Sequence, residues 1–272
     1  RVITRDKTRA EVYLTHLGRE IAAIAALFDR DREVIQLHFG GGTPNFLSPT
    51  QLRCTVEVLK RHFRFSDADN RDISIELDPR TVSPQDMAEL ALAGFNRASL
   101  GVQDFDPAVQ AAVNRIQGVE QTRAVVDACR NHGFRSINLD LIYGLPNQTV
   151  AGFARTLETV IAMRPDRLAV YSYAHLPDMF KAQRQLDATL LPDAETKLAL
   201  LQLAIETLTA EGYVYIGMDH FALPDDELAQ AQHDEWVRAQ VAAARADTRP
   251  PLATDQLIAR LRARHDRLRD AP

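Results

Sequence analysis

"ISIELDPRTVSPQDMAELALAGFNRASLGV", residues Ile73 to Val102, carries the unit from which the fold is read. "ISIEL" from Ile73 to Leu77 reads as a buried strand, a helix follows through Met87 and Leu90, and "RASLGV" from Arg97 to Val102 reads as the next strand. The same alternation extends in both directions. Upstream, Leu14, Leu17, Ile21, Ile24 and Phe28 recur at helical spacing, "VIQLHF" from Val34 to Phe39 is a strand, and a helix runs through Leu52, Val56, Leu59 and Phe63. Downstream, helical segments at Pro107–Val113 and Gln121–His132 lead into "SINLDLI" from Ser136 to Ile142. A helix from Val150 to Met163 leads into "RLAVYSY" from Arg167 to Tyr173, and a long helix from Ala194 to Ala210 feeds "YVYIG" from Tyr213 to Gly217. Strands apolar on both faces and separated by helices call for parallel pairing with right-handed crossovers. The expected class is α/β, a parallel barrel or partial barrel, with its chemistry at the C-terminal ends of the strands.

Composition narrows the function. The 272 residues are 46% hydrophobic and 25% charged, enough for one large core or two modest ones, and one main domain is expected. With 32 basic against 37 acidic side chains, the net charge is -5, and no basic stripe interleaved with aromatics marks a nucleic-acid surface. No apolar run reaches the length of a membrane span, and "RVITRDKTRA" carries charges where a signal peptide needs an apolar segment, so a cytosolic location is expected. The two cysteines, Cys54 and Cys129, lie apart in helix-like segments and offer neither a disulfide framework nor a metal motif. The chain has no initiator Met and opens almost at once on a helix, from which a fragment is expected.

Polar or glycine-rich groups fall at the same end of five successive strands. "GGGTP" follows the first, Glu76 and Asp78-Pro79 close the second, and Gln103-Asp104 the third. Asp140 with "YGLP" closes the fourth, and Ala174 and His175 follow the fifth. The glycine run matches neither the dinucleotide fingerprint nor the Walker pattern. It reads either as a tight strand-to-helix turn or as a cradle in which backbone N–H groups approach an anion, with the Thr43 hydroxyl beside it. Glu76, a carboxylate inside an apolar strand, is either a ligand-binding group or half of a buried ion pair with Arg97 or Arg115. Gln103 and Asp140 are candidates whose bland alternative is capping a strand end. His38 reads as a hydrogen-bonded core residue, Arg115 as a solvated charge near a helix end, and His220 as a residue without a metal partner.

Taken together, "QLHFGGGTPNFL", "ISIELDPR", "GFNRASLGVQDFDPAVQ", "VNRIQ", "NLDLIYGLPNQT", "YSYAHLPDMFKAQRQL" and "GYVYIGMDHFALPDDELAQAQ" resemble the oxygen-independent coproporphyrinogen III oxidases, a radical S-adenosylmethionine family. The glycine run is shared across radical S-adenosylmethionine enzymes, whereas "YAHLPDMFKAQR" and "GMDHFALPDDELA" point to the oxidases rather than to the related haem chaperones. A non-catalytic haem-binding or chaperone-like module is the alternative. The resemblance implies a partial parallel barrel binding S-adenosylmethionine beside a 4Fe-4S cluster. It also implies conversion of coproporphyrinogen III to protoporphyrinogen IX, in which a 5'-deoxyadenosyl radical takes a hydrogen from a propionate before carbon dioxide is lost. By the same resemblance Gly41, Gly42, Thr43, Glu76, Gln103, Arg115, Asp140 and Ala174 contact S-adenosylmethionine, of which the family holds two.

The family's C-x3-C-x2-C loop, whose thiolates hold the cluster, is absent from this sequence. By the resemblance it precedes the segment matched by "RVITRD", so the barrel is expected to lack its first strand, and the chain as given is not expected to catalyse. Residues 1–232 are expected to form this incomplete barrel, and the Ala/Arg/Asp-rich residues 233–272 a divergent helical tail or a frameshifted reading. Arg80, Arg97 and Arg184 are candidates for gripping the substrate's propionates. The electron donor and acceptor are open.

Overall fold

The computed structural model describes residues 6–29, 31–68 and 71–231. The expected tail at 233–272 lies outside the described residues, and every element below lies in the compact unit Arg1–Ala229.

The chain runs α1 (Arg9–Ala25), β1 (Glu33–Val34), β2 (Gln36–Phe39), α2 (Pro49–His62), β3 (Arg64–Phe65), β4 (Asp72–Leu77), α3 (Pro84–Ala93) and β5 (Arg97–Gln103). It continues through α4 (Pro107–Ala112), α5 (Val119–Asn131), β6 (Ser136–Tyr143), α6 (Val150–Ile161), β7 (Arg167–Ser172), α7 (Ala194–Ala210), β8 (Val214–Gly217) and β9 (His220–Ala222). Local chemistry sets the helix starts. Ser48 and Ser83 each accept from the third helical backbone N–H, while Gln51 and Asp86 reach back to the cap, and Pro49 and Pro84 occupy the first turn. Thr149 and Asp193 cap α6 and α7 by single side-chain bonds.

The main sheet has seven strands in the order β2-β4-β5-β6-β7-β9-β8, and β1 pairs separately with β3. From β2 to β7 every pairing is parallel, as expected for an α/β chain of strand–helix units. Described residues form an open sheet, in keeping with a partial barrel. The expected strand at Val34–Phe39 is divided: Val34 pairs with Phe65 in the small sheet and Gln36–Phe39 with β4.

Two expectations are corrected. "YVYIG" does not extend the parallel series directly, because β9 inserts between β7 and β8 and runs antiparallel to both. The turn between them places Met218 at φ 48° and Asp219 at φ 69°, the two left-handed residues of a tight hairpin that follows the strand twist. Nor are the strands apolar on both faces. Ile73, Ile75, Leu77, Leu100, Val102, Ile137, Leu139 and Leu141 are buried in a core that includes Met87, Leu90, Val125, Val126, Phe153 and Leu157 of the helices. Alternate residues, Ser74 and Glu76, Ser99 and Gln103, Asn138 and Asp140, are only partly buried and turn to the other face.

Candidate functional site

At the C-terminal ends of β2, β4, β5 and β6 this polar face encloses a cavity of about 170 Å3, bordered by Gly42, Thr43, Glu76, Gln103, Arg115 and Asp140 among others. A larger cavity of about 400 Å3 lies beside residues Asn45–Leu47 and helices α2 and α3. It contains none of the strand-end carboxylates, so the smaller cavity is the candidate site.

Glu76 projects from β4 toward the glycine run. Its Oε1 lies 3.2 Å from His38 Nε2, and its Oε2 accepts the Gly41 N–H at 3.1 Å. The anticipated arginine partners are elsewhere: Arg97 meets Asp72 and Glu227, and Arg115 meets Asp78 and the Gly101 carbonyl. His38 is hydrogen-bonded, through Nδ1 to Ser74 Oγ at 2.9 Å as well, but it is not a core residue; its side chain is 56% exposed on the open face. Gly41 adopts φ +94°, which turns its N–H onto Glu76.

Asp140 stands on β6, where Ser99 Oγ donates to Oδ2 at 3.0 Å and Asn138 Nδ2 to Oδ1 at 2.7 Å. Burial pushes its carboxyl above the usual carboxylate range; these two hydrogen bonds oppose the shift and the charge of Glu76 adds to it. Arg115 is not a solvated helix-end charge. Its Nη2 donates to the Gly101 carbonyl at 2.7 Å, both its Nη groups lie 3.4 Å from Asp78, and its Nε is buried without a partner. Burial lowers its pKa, partly offset by Asp78. Burial also raises Asp78, but the hydrogen bonds from Arg80 and the charge of Arg115 outweigh it and hold the carboxyl below its ordinary value.

Gln103 borders the cavity at φ 70°, where the β5–β6 register shifts after Gly101. Its neighbour Asp104 turns away and is buried in a structural web, accepting from the Asp106 N–H, Thr156 Oγ1 and Gln148 Nε2 at 2.7, 2.6 and 2.5 Å. Ala174 lies in the exposed loop after β7, where its carbonyl accepts Gln183 Nε2, and it does not border the cavity. Of the three candidate propionate-binding arginines, Arg80 clamps Asp78, Arg184 bonds the Pro177 carbonyl of its own loop, and Arg97 is buried at the opposite end of the strands. His220 packs edge-on to Tyr171, its Nδ1 2.6 Å from the Met218 carbonyl. Sequence reasoning passed over Ser74, Ser99 and Asn138. Each stands two residues from Glu76, Gly101 or Asp140, and that spacing marks one shared face.

No group of three or more His, Cys, Asp or Glu capable of holding a metal occurs among the described residues. Cys54 is exposed on α2; Cys129 is buried on α5, its thiol pushed up to about 12 by burial. Among the described residues no helix is long and apolar enough to cross a membrane.

The model of the radical SAM superfamily matches residues 15–160, more than half of the chain. The oxygen-independent coproporphyrinogen III oxidase of Pseudomonas aeruginosa is 56% identical over 234 residues, which cover 86% of this chain and 51% of that protein. The Escherichia coli K12 protein of the same name is 48% identical over 234 residues, covering 86% and 50%. The solved structure of coproporphyrinogen III oxidase (HemN) from Escherichia coli, described as a radical SAM enzyme, superposes with a TM-score of 0.83 at 47% identity, covering 86% of this chain and 53% of that one. The chain thus spans about half the length of the curated relatives it matches.

Proposed function

The chain belongs to the radical SAM superfamily, and from that premise we propose that it is the S-adenosylmethionine-holding part of an enzyme that converts coproporphyrinogen III to protoporphyrinogen IX in haem biosynthesis. The observation that supports this most is the meeting of Glu76, Asp140, Arg115 and the glycine run around one cavity at the strand ends.

These groups suit the amino-acid end of S-adenosylmethionine. Glu76 and Asp140 accept hydrogen bonds only, so they match an ammonium. The cationic Arg115 and the Gly42 backbone, both bordering the cavity, match a carboxylate. Thr43 and Gln103 add neutral polar groups at the rim. That two S-adenosylmethionine molecules bind per chain is proposed from the family resemblance alone. When bound, S-adenosylmethionine supplies the hydrogen-abstracting group; this chain's residues orient it and hold its charges. Ala174 enters this reading only through its family position.

A 4Fe-4S cluster does not fit the cysteines present. One thiol is exposed on α2, the other is buried and protonated on α5, and neither borders the cavity. The 272-residue chain by itself is proposed to be catalytically inactive. The names of the relatives lend nothing to the haem-binding alternative. A soluble cytosolic protein that takes a tetrapyrrole and no nucleic acid completes the reading.

Calorimetry with S-adenosylmethionine and anaerobic reconstitution with iron and sulfide test it. The expected results are saturable binding that weakens at least tenfold in Glu76→Gln, and no reducible cluster signal by electron paramagnetic resonance. Absence of binding, or a stoichiometric cluster, overturns the respective part. If the coding DNA encodes a C-x3-C-x2-C loop and the remainder of the relatives' length, the full-length protein should release protoporphyrinogen IX from coproporphyrinogen III; failure to do so overturns the activity.

A further inference from the structure

We propose that His38 is a positioning residue that fixes the Glu76 carboxylate for its ligand, and that Gly40 is glycine so that this contact can form; the inference rests on the S-adenosylmethionine reading of the cavity.

His38 stands opposite Ser74 in the β2–β4 register, and Ser74 and Glu76 share a face of β4 two residues apart. The imidazole bridges them, with Nδ1 2.9 Å from Ser74 Oγ and Nε2 3.2 Å from Glu76 Oε1. When the Ser74 hydroxyl donates to Nδ1 rather than to the Leu37 carbonyl 3.5 Å away, the ring is held as the tautomer whose Nε2–H donates to Glu76. With Gly41 N–H on the other oxygen, the carboxylate is held by one bond per oxygen, and each oxygen keeps acceptor capacity for a ligand.

Gly40 supplies the second observation. A Cβ there would fall 2.3 Å from His38 Nε2 and 2.7 Å from Glu76 Oε1. A side chain at this position would therefore displace at least one of the two from the present contact. The His38 and Glu76 side chains are 56% and 43% exposed, so their pairing contributes little to folding. Its effect is on orientation.

The experiment combines calorimetric titration of S-adenosylmethionine into the 272-residue chain with 15N spectra of the His38 ring. His38→Leu is expected to weaken binding about fivefold, the equivalent of one lost hydrogen bond, with an unchanged unfolding midpoint. His38→Gln, which keeps a donor near the Nε2 position, should restore most of the affinity. Gly40→Ala should match His38→Leu, and the double variant should bind no more weakly than either, because both changes break one contact. In the unliganded protein His38 should show the Nε2–H tautomer, and Glu76→Gln should move its ring signals. Wild-type affinity in His38→Leu, multiplying losses in the double variant, or ring signals indifferent to Glu76→Gln would each overturn the proposal. If the wild-type chain does not bind S-adenosylmethionine at all, the reading of the cavity fails, while the ring signals still decide whether His38 holds Glu76.

Discussion

One face of the sheet is charged at both ends, and the two ends use their carboxylates differently. At the N-terminal end of the strands, Arg97 contacts Asp72 and Glu227, Arg135 also contacts Glu227, and Arg167 donates to Asp226, which Ser136 bonds as well. Arg97 and Asp226 are almost fully buried there. At the C-terminal end Asp78 is likewise clamped by Arg80 and Arg115, but Glu76 and Asp140 are held by Ser99, Asn138, His38 and the Gly41 N–H, and both face a cavity. At the base, charge answers charge and builds the fold, whereas Glu76 and Asp140, answered by hydrogen-bond donors, keep capacity for a ligand. Burial of an ion alone does not separate these cases; what the ion is paired with does.

Breaking the base should produce the largest effect on stability. Asp226→Ala leaves Arg167 without its carboxylate and should cost about 3 kcal/mol in urea unfolding. Asp226 is raised by burial, but its bonds from Arg167, Leu228 N–H and Ser136 outweigh this and leave it below the ordinary value of 3.8. A depressed carboxylate stabilises the fold above its unfolded pKa and ceases to do so as pH falls through the folded one. Wild-type stability should therefore drop below about pH 4 by an increment that Asp226→Asn lacks; parallel pH profiles would remove Asp226 from the base.

The web around Asp104 comes next. Gln148 Nε2 donates to Asp104 and to the Ile142 carbonyl, while its Oε1 accepts from the N–H groups of Gly144 and Leu145. Gln148→Leu strands all four and should cost about 2 kcal/mol, again by urea unfolding. The cavity end should behave differently. Asp140 is held above its usual pKa by burial, so Asp140→Asn should leave stability unchanged within ~0.5 kcal/mol while weakening S-adenosylmethionine about tenfold in calorimetry. A stability loss as large as that of Asp226→Ala would erase the contrast between the two ends. The smallest effect concerns the cysteines. Alkylation of the native chain at pH 8 should label exposed Cys54 and spare buried Cys129, as read by mass spectrometry, because only thiolates react.

The α/β alternation was legible because each helix and each strand of the central sheet carries its own period. The polar face was legible too, and was misread. In "ISIEL", "RASLGVQ" and "SINLDLI" the polar residues recur every second position, the signature of a strand with one wet side, yet the apolar residues between them gave the impression of strands buried throughout. Glu76, Asp140, Gln103 and the glycine run could be placed at one end because parallel strands share a direction. Their partners could not, since His38 reaches Glu76 and Ser99 reaches Asp140 across strands whose register no single sequence displays. The reversal at Met218-Asp219 was hidden because β9 is only three residues long, too short for any period to show.

That reversal matters during synthesis. The strands from β2 to β7 can each add to the preceding one as they emerge, but Arg97 is made 130 residues before Glu227 and Arg167 59 residues before Asp226. Because β9 runs backwards, it returns the growing chain to the base, and only then do those carboxylates arrive. Until Glu227 has emerged from the ribosome, a nascent chain holds a nearly finished sheet in which Arg97 has Asp72 but not Glu227 and Arg167 lacks Asp226, and a stall just before that point would leave it there.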